Sequence, residues 1–154
     1  MPDPLFKRNL DSPAIAAARL RDDEVNQGPT MWGRRLARLV GRRYGVKMSR
    51  NRAINEGTLD RTPVIIKCAK SYQAPIQVSA TSLERVSEIW GVFLSEVDDG
   101  EIWRAPAAEF KKLAYFYAPR EGVPYYSIRY TRFKRIATHA GTVPAKDVLR
   151  VEIP

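Results

Sequence analysis

The chain has 154 residues, of which 44% are hydrophobic, enough for one compact core. No run of about 18 apolar residues is present to cross a bilayer, and a single cysteine, Cys68, excludes an internal disulfide and a cysteine-based zinc cluster. Lysine and arginine outnumber the acids by 26 to 17, and the net charge of +9 favours a polyanionic partner, nucleic acid above all. The first ten residues lack the apolar stretch of a signal peptide, so we expect a cytoplasmic protein without membrane association.

Two helices are predicted before the first strand. Residues 12–24 begin with a capping serine and a proline, and we interpret residues 1–28 as a helical extension of a domain that comprises residues 29–154. The second helix runs from Met31 to Tyr44, with Thr30 as its cap, and ends at Gly45. Apolar residues recur along one side of this helix at helical spacing: Trp32, Leu36, Leu39 and Val40.

The second helix lies in a stretch that contains no acid between Glu24 and Glu56. Several arginines on its polar side would contact phosphate and make binding fall steeply with salt, although a charged solvent face is also usual for an amphipathic helix. Together with residues 14–24 the helix is also a candidate helix-turn-helix, whose arginines enter the major groove. The predicted nucleic-acid contacts on this helix are Arg34, Arg35, Arg38 and Arg42.

The segments that follow the second helix alternate strands with short helices. Residues 46–61 read as strand or loop with a turn around Gly57, "PVIIKCA" as a strand covered on both faces, and "IQVSA" as another strand. Residues 81–89 are predicted to be helical because Thr81 and Glu84 have the spacing of a capping box. This order of elements is typical of an α/β or α+β fold.

The second half of the chain begins with a predicted hairpin, "WGVFLSEV" and "EIWRAP" around the turn "DDG". A brief helix, "AAEFKKLA", follows Pro106, and "YYSIRY" alternates as a strand does. A last helix, closed by Gly141, is predicted from the helical spacing of Phe133, Ile136, Ala137 and Ala140.

Aromatic and basic residues are interleaved in "YYSIRYTRFKR", residues 125–135. Such a strip can stack bases while its cations hold the phosphate backbone. The alternative is a half-buried strand whose aromatic residues face the core and whose arginines face water. We favour the core for the aromatic side chains and phosphate contact for Arg129 and Arg132.

The strand "VIIKCAKS" ends in two lysines, Lys67 and Lys70. A lysine at the end of a buried strand is costly unless its ammonium group reaches water, an acid or a phosphate. In metal-dependent nucleases a lysine beside carboxylates orients the attacking water and offsets charge on the scissile phosphate, while the acids hold Mg²⁺. Lys70 is a further predicted phosphate contact, and Cys68 between the lysines is interpreted as a small buried hydrophobic residue.

The order of these elements resembles that of the PD-(D/E)xK, restriction-endonuclease-like superfamily. The elements are an arginine-bearing helix, an acid, a strand that ends in lysine, another strand, a helix and the hairpin "IWGVFLSEVDDGEIWRAPAAEF". The resemblance covers residues 30–140. It implies an α/β fold with a small mixed central sheet flanked by helices, double-stranded DNA as the partner, and divalent-metal phosphodiester hydrolysis as the ancestral activity.

Within this resemblance Lys67 corresponds to the family lysine, and Glu56 or Asp60 to the first metal-binding acid. Ile65 stands where the second acid belongs, two residues before Lys67. Glu84 on the next helix is the candidate replacement, so the resemblance implies a Mg²⁺ ion held by Glu56, Asp60 and Glu84. Asp60 and Glu84 also have purely structural interpretations, Glu84 as part of a capping box and Asp60 as a turn residue.

Three functions remain as alternatives. The first is a DNA-binding protein of this fold that acts as a Mg²⁺-dependent nuclease, with Lys67, Glu56, Asp60 and Glu84 as its catalytic residues. The second is a non-catalytic DNA-binding regulator, favoured by Ile65. The third is an interaction module whose charge meets an acidic partner; a homodimer is an open candidate in each case.

Overall fold

The computed structural model describes residues 27–51, 54–95 and 97–147. The helix predicted over residues 12–24, and the helix-turn-helix that depends on it, lie outside this description, as does the side chain of Thr30. Within the described residues, no helix is long and apolar enough to cross a membrane.

The chain divides into two compact units, residues 34–118 with 123–154, and residues 1–33 with 119–122. The described residues of the second unit are the first turns of a helix and a turn in which Gly122 has a positive φ of 103°. In chain order, the described elements are α1 (Gln27–Arg43), β1 (Lys47–Met48), β2 (Glu56–Leu59), β3 (Thr62–Ala69), β4 (Ile76–Ser79), α2 (Ala80–Arg85), β5 (Glu88–Phe93), β6 (Gly100–Pro106), α3 (Ala107–Leu113), β7 (Tyr115–Tyr117), β8 (Tyr125–Ile128), α4 (Tyr130–Phe133) and β9 (Thr138–Val143).

The fold is mixed α/β, with a central mixed sheet, a smaller sheet and helices. The central sheet has the strand order β9-β6-β5-β3-β2-β1, in which only β3 and β5 are parallel. Parallel neighbours need a crossover connection, and here β4 and α2 provide it. β4 joins a separate antiparallel sheet of order β4-β8-β7.

One apolar core joins the two sheets, with residues from α2, α3 and α4. Phe133 of α4 lies at its centre, where its ring contacts those of Phe93 and Phe110 at centroid distances of 5.9 and 6.1 Å. Gly91 of β5 permits this approach, since a Cβ atom there would lie 2.7 Å from the Phe133 ring. The same core therefore supports both sheets.

The second half of α1 packs on the opposite face of the central sheet. Leu36 and Val40 are buried, as the helical spacing predicts, and Tyr44 contacts the Trp90 ring edge-on at 6.2 Å. The helix begins earlier than predicted, at Gln27, and the chain then turns at Gly45 with a φ of 82°.

The predicted strands β3, β4 and β8, the hairpin β5–β6 and the helix α3 are confirmed, but one helix prediction is too long and another is wrong. α2 ends at Arg85 because Glu88 and Ile89 join β5, opposite Val64 and Ile65 of β3. The last helix, predicted from Phe133 to Ala140, does not form, because α4 spans Tyr130–Phe133 and ends where the predicted helix would begin.

Residues beyond that short helix form β9, in which His139 pairs with Trp103 of β6. Sheet hydrogen bonding thus prevails over a helical spacing of apolar residues.

Two predictions of local structure are also corrected. The cap of α2 is Ser79, whose side chain accepts a hydrogen bond from the Ser82 backbone N at 3.1 Å, so Thr81 and Glu84 do not cap it. The turn between β2 and β3 is formed by Asp60 and Arg61, both with positive φ. Gly57 instead lies within β2, where a Cβ atom would come within 2.6 Å of the Lys47 carbonyl oxygen.

Candidate nucleic-acid interface

Two neighbouring strands bring Glu56 and Lys67 to the same face of the central sheet. Glu56 is directly opposite Ile65, and Lys67 lies two residues farther along β3, so the three side chains share a face. Burial lowers the pKa of Lys67, and the carboxylate of Glu56 acts in the opposite direction by favouring the charged ammonium. Two of the residues predicted to form a site are therefore close in space.

Glu56 is held by a residue that the sequence did not point to. Arg85, the last residue of α2, donates from Nε to Glu56 Oε1 at 3.0 Å and from Nη2 to Oε2 at 2.5 Å. The same Nη2 also donates to Ser82 Oγ at 3.2 Å. This Glu56–Arg85 pair is bidentate, so both carboxylate oxygens already have a cationic partner.

The other two predicted metal ligands lie elsewhere. Asp60 is in the exposed turn before β3, about 16 Å along the strand from Lys67. Glu84 is exposed and lines a cavity of about 160 Å³ between α2 and α3. Among the described residues, no group of three or more His, Cys, Asp or Glu side chains could hold a metal ion. The three acids therefore do not fit a shared Mg²⁺ site.

The arginines predicted as phosphate contacts on α1 differ in their surroundings. Arg38 donates from Nη2 to the backbone oxygens of Ser49 and Asn51 at 3.0 and 3.2 Å, and so fixes the segment after β1. Arg34 is half-buried, whereas Arg35 and Arg42 are exposed and lie seven residues apart on one side of the helix. The exposed pair is available to a ligand.

A cavity of about 790 Å³ lies on the smaller sheet beside α4. We call it the tyrosine–arginine groove. Its lining contains three tyrosines, three arginines and no carboxylate. The lining residues are Pro75, Gln77, Tyr115, Tyr117, Tyr125, Ser127, Ile128, Arg129, Thr131, Arg132 and Arg135.

Strand register explains which side chains line the groove. Ser127 of β8 is paired with Tyr115 on one side and Gln77 on the other, and Tyr125 is paired with Tyr117. Because paired and alternate residues share a face, these side chains lie on one face of the smaller sheet. The alternate residues, Phe116, Tyr126 and Val78, share the other face.

The tyrosines of the groove are held in defined orientations. The rings of Tyr117 and Tyr125 stack with their centroids 5.3 Å apart and an interplanar angle of 21°. The guanidinium carbon of Arg132 lies 4.8 Å from the centroid of the Tyr115 ring, and Arg132 Nε donates to the Leu113 backbone oxygen at 2.9 Å. Burial raises the pKa of Tyr125, so its hydroxyl stays neutral at physiological pH.

The remaining two arginines of the groove face solvent. Arg129 follows Ser127 by two residues, and Arg135 lies in the turn after α4. Both side chains are exposed, and neither has a hydrogen-bond or ion-pair partner within the described part of the chain. Arg129 and Arg132 are predicted nucleic-acid contacts; Arg135 belongs to the same basic strip but is not among the predicted contacts.

The residues after Lys67 complete the set of predicted positions. Lys70 is exposed at the end of β3. Burial raises the pKa of the Cys68 thiol to about 12, which keeps the thiol protonated and unreactive.

No protein-family model, no curated protein and no solved structure was found to match this chain.

Proposed function

We propose that this protein binds nucleic acid through the tyrosine–arginine groove and the exposed arginines of α1, with double-stranded DNA as the predicted partner of the α1 arginines. The observation that carries the proposal is the convergence of Arg129, Arg132 and Arg135 on one cavity whose described lining contains no carboxylate. Guanidinium groups match phosphate oxygens in charge and geometry. The net charge of +9 adds long-range attraction to a polyanion.

We also propose that the central sheet is a restriction-endonuclease-like core. The chain order of α1, β2, β3, α2 and β5 supports this, as does the position of Glu56 and Lys67 on neighbouring strands. β4 is a departure, because it pairs with β8 in the smaller sheet and takes no part in the central one.

Binding without cleavage is the form of this function that the geometry favours. Arg85 occupies both carboxylate oxygens of Glu56, and the turn position of Asp60 and the cavity position of Glu84 keep these acids from completing a Mg²⁺ site. The nuclease therefore stays a prediction from the resemblance, and we assign no catalytic step to these residues.

Fluorescence anisotropy with a labelled 16-base-pair duplex tests the binding proposal. At low salt we expect binding whose affinity falls with a log–log slope of about −0.9 for each phosphate contacted. An Arg35→Ala/Arg42→Ala variant should flatten this slope, and Lys111→Ala serves as the control because Lys111 is an exposed cation that lies on neither α1 nor the groove. If neither duplex nor single-stranded DNA binds at low salt, the proposal is wrong and an acidic protein partner becomes the better candidate.

Calorimetric titration of Mg²⁺ and Mn²⁺, with and without the duplex, separates binding from cleavage. The proposal expects the duplex to bind equally well with EDTA and with Mg²⁺, and no metal uptake by the protein. Metal uptake that disappears in Glu56→Ala would instead support the nuclease and identify its ligand.

A further inference from the structure

We infer that the tyrosine–arginine groove binds the unpaired nucleotides of a single strand, with bases stacked on tyrosine and phosphates held by arginine. The inference rests on the proposed nucleic-acid binding and specifies the class of ligand that this groove takes. It concerns a different surface from the Glu56–Arg85 pair and from α1.

Exposed tyrosine rings on a sheet face are the first reason. Tyr115 and Tyr117 are 56% and 47% exposed, although aromatic side chains contribute most to stability when they are buried. Stacking on such rings needs a free base face, and only unpaired nucleotides present one. The bases of a duplex are stacked on one another and do not offer that face to a protein surface.

Spacing is the second reason. Tyr115 and Tyr117 are two residues apart on β7, about 6.6 Å along the strand. This distance is about twice the roughly 3.4 Å that separates bases stacked on one another, so the bases of a strand that contacts both rings must be unstacked from each other. The two rings can therefore take successive bases of an extended strand, one base for each ring.

Preorganisation is the third reason. Tyr117 is stacked on Tyr125, and Arg132 is fixed between the Leu113 backbone oxygen and the Tyr115 ring. Side chains that are already ordered lose less conformational entropy when a ligand binds. Arg129 and Arg135, which have no side-chain partner among the described residues, remain for the phosphates. A cavity of about 790 Å³ is also within the size range of ligand sites.

The test compares a labelled 12-nucleotide single strand of mixed sequence with the corresponding 12-base-pair duplex by fluorescence anisotropy. Tyr117→Ala should weaken single-strand binding about tenfold or more, because a stacking platform for one base is lost, and should change duplex binding by less than about twofold. Tyr117→Phe keeps the ring and should retain wild-type affinity.

Phe116→Ala is the matched control, because Phe116 lies on the same strand, is 54% exposed, and faces the opposite side of the sheet. Its single-strand affinity should equal that of the wild type. Thermal unfolding followed by circular dichroism checks that each variant folds.

A second measurement, made first on the wild-type protein and then on the tyrosine variants, reports base stacking directly. We would place 2-aminopurine at single positions of the oligonucleotide and follow its fluorescence, which responds to stacking on an aromatic ring. The inference expects a fluorescence change on binding that is reduced in Tyr115→Ala and Tyr117→Ala.

Two results would overturn the inference while leaving nucleic-acid binding in place. One is unchanged single-strand affinity and 2-aminopurine signal in both tyrosine variants, and the other is an equal loss of duplex and single-strand affinity in Tyr117→Ala. If the wild type binds neither probe, it is the proposed function itself that fails.

Discussion

The Glu56–Arg85 pair and the tyrosine–arginine groove both contain arginine, but the arginine charge is paired with a carboxylate in the first, whereas no described lining residue of the second is an acid. At the pair, the guanidinium of Arg85 is bound to both oxygens of a carboxylate whose side chain is only 12% exposed. In the groove, Arg129 and Arg135 project into a cavity whose described lining has no acid. One region satisfies its charges within the protein, and the other leaves them facing solvent.

This difference separates stability from binding. A charge that is paired inside the fold contributes to folding and is costly to unpair, whereas an exposed, unpaired cation contributes little to folding and much to polyanion binding. Substitutions at the pair should therefore change the free energy of unfolding, and substitutions in the groove should change affinity.

The largest expected effect is on stability, from Arg85→Ala. This change leaves the mostly buried carboxylate of Glu56 without its partner and should lower the free energy of unfolding by about 2–3 kcal/mol. Chemical denaturation measures it, with Lys111→Ala as the control. Adding Glu56→Gln to Arg85→Ala should recover part of the loss, since the unpaired charge is removed. An Arg85→Ala protein as stable as the wild type would show that the pair is not structural.

Substitutions in the groove should weaken binding and leave the free energy of unfolding nearly unchanged. An Arg129→Ala/Arg135→Ala variant should bind the single-stranded probe about 30-fold more weakly at low salt, roughly 2 kcal/mol, and its log–log salt slope should be shallower by about 1.4. Its free energy of unfolding should stay within about 0.5 kcal/mol of the wild type. Fluorescence anisotropy measures the affinity and chemical denaturation measures the free energy of unfolding on the same samples. A large loss of stability would show that these arginines contribute to folding as well as to binding.

A smaller effect, seen in pH dependence, is expected at Lys67. Burial lowers its pKa below the usual 10.5 in the folded state, so between the lowered pKa and 10.5 the unfolded chain binds a proton that the folded chain does not. Stability must then rise with pH in this window, while below it the cost of burying the charge is fully present.

Lys67→Met should lack this rise, and the difference between wild type and variant should shrink as the pH approaches 10.5. Denaturation at a series of pH values in a Cys68→Ala background, which removes the neighbouring thiol, measures the difference. A difference that does not vary with pH would mean that Lys67 keeps its ordinary pKa.

The smallest effects are expected for the two remaining acids of the predicted metal site. Asp60→Asn keeps a residue type that tolerates the positive φ of the turn, and Glu84 is exposed. Asp60→Asn and Glu84→Gln should each change the free energy of unfolding by less than about 0.5 kcal/mol. Loss of Mg²⁺ uptake in either variant would reinstate these residues as ligands.

Much of the central sheet was predictable because its signals are local. The apolar run before Lys67 predicted β3, and the alternation around "DDG" predicted the hairpin β5–β6. By contrast, residues 133–140 have helical spacing, but His139 pairs with Trp103 at the edge of the central sheet. The spacing of apolar residues within a segment carries no information about whether a distant strand, here β6, will form hydrogen bonds with it.

The candidate site was predictable only in part. The alternation in residues 125–129 indicated a half-buried strand, and Arg129 and Arg132 were predicted as phosphate contacts. The prediction that the aromatic side chains face the core is wrong for Tyr125, which lines the groove. Tyr115 and Tyr117 were missed because β7 is three residues long and follows α3 after a single residue. The bond between Arg85 and Glu56 spans 29 residues, so no local pattern reports it.

The most direct test of the central claim is an amide chemical-shift map of the ¹⁵N-labelled protein titrated with the 12-nucleotide single strand. We expect the largest shifts on β7, β8 and the segment 129–135, around the tyrosine–arginine groove, and no shifts of the amides in the turn at Asp60. Shifts confined to α1, or centred on Glu56 and Lys67 with the groove unchanged, would contradict this claim.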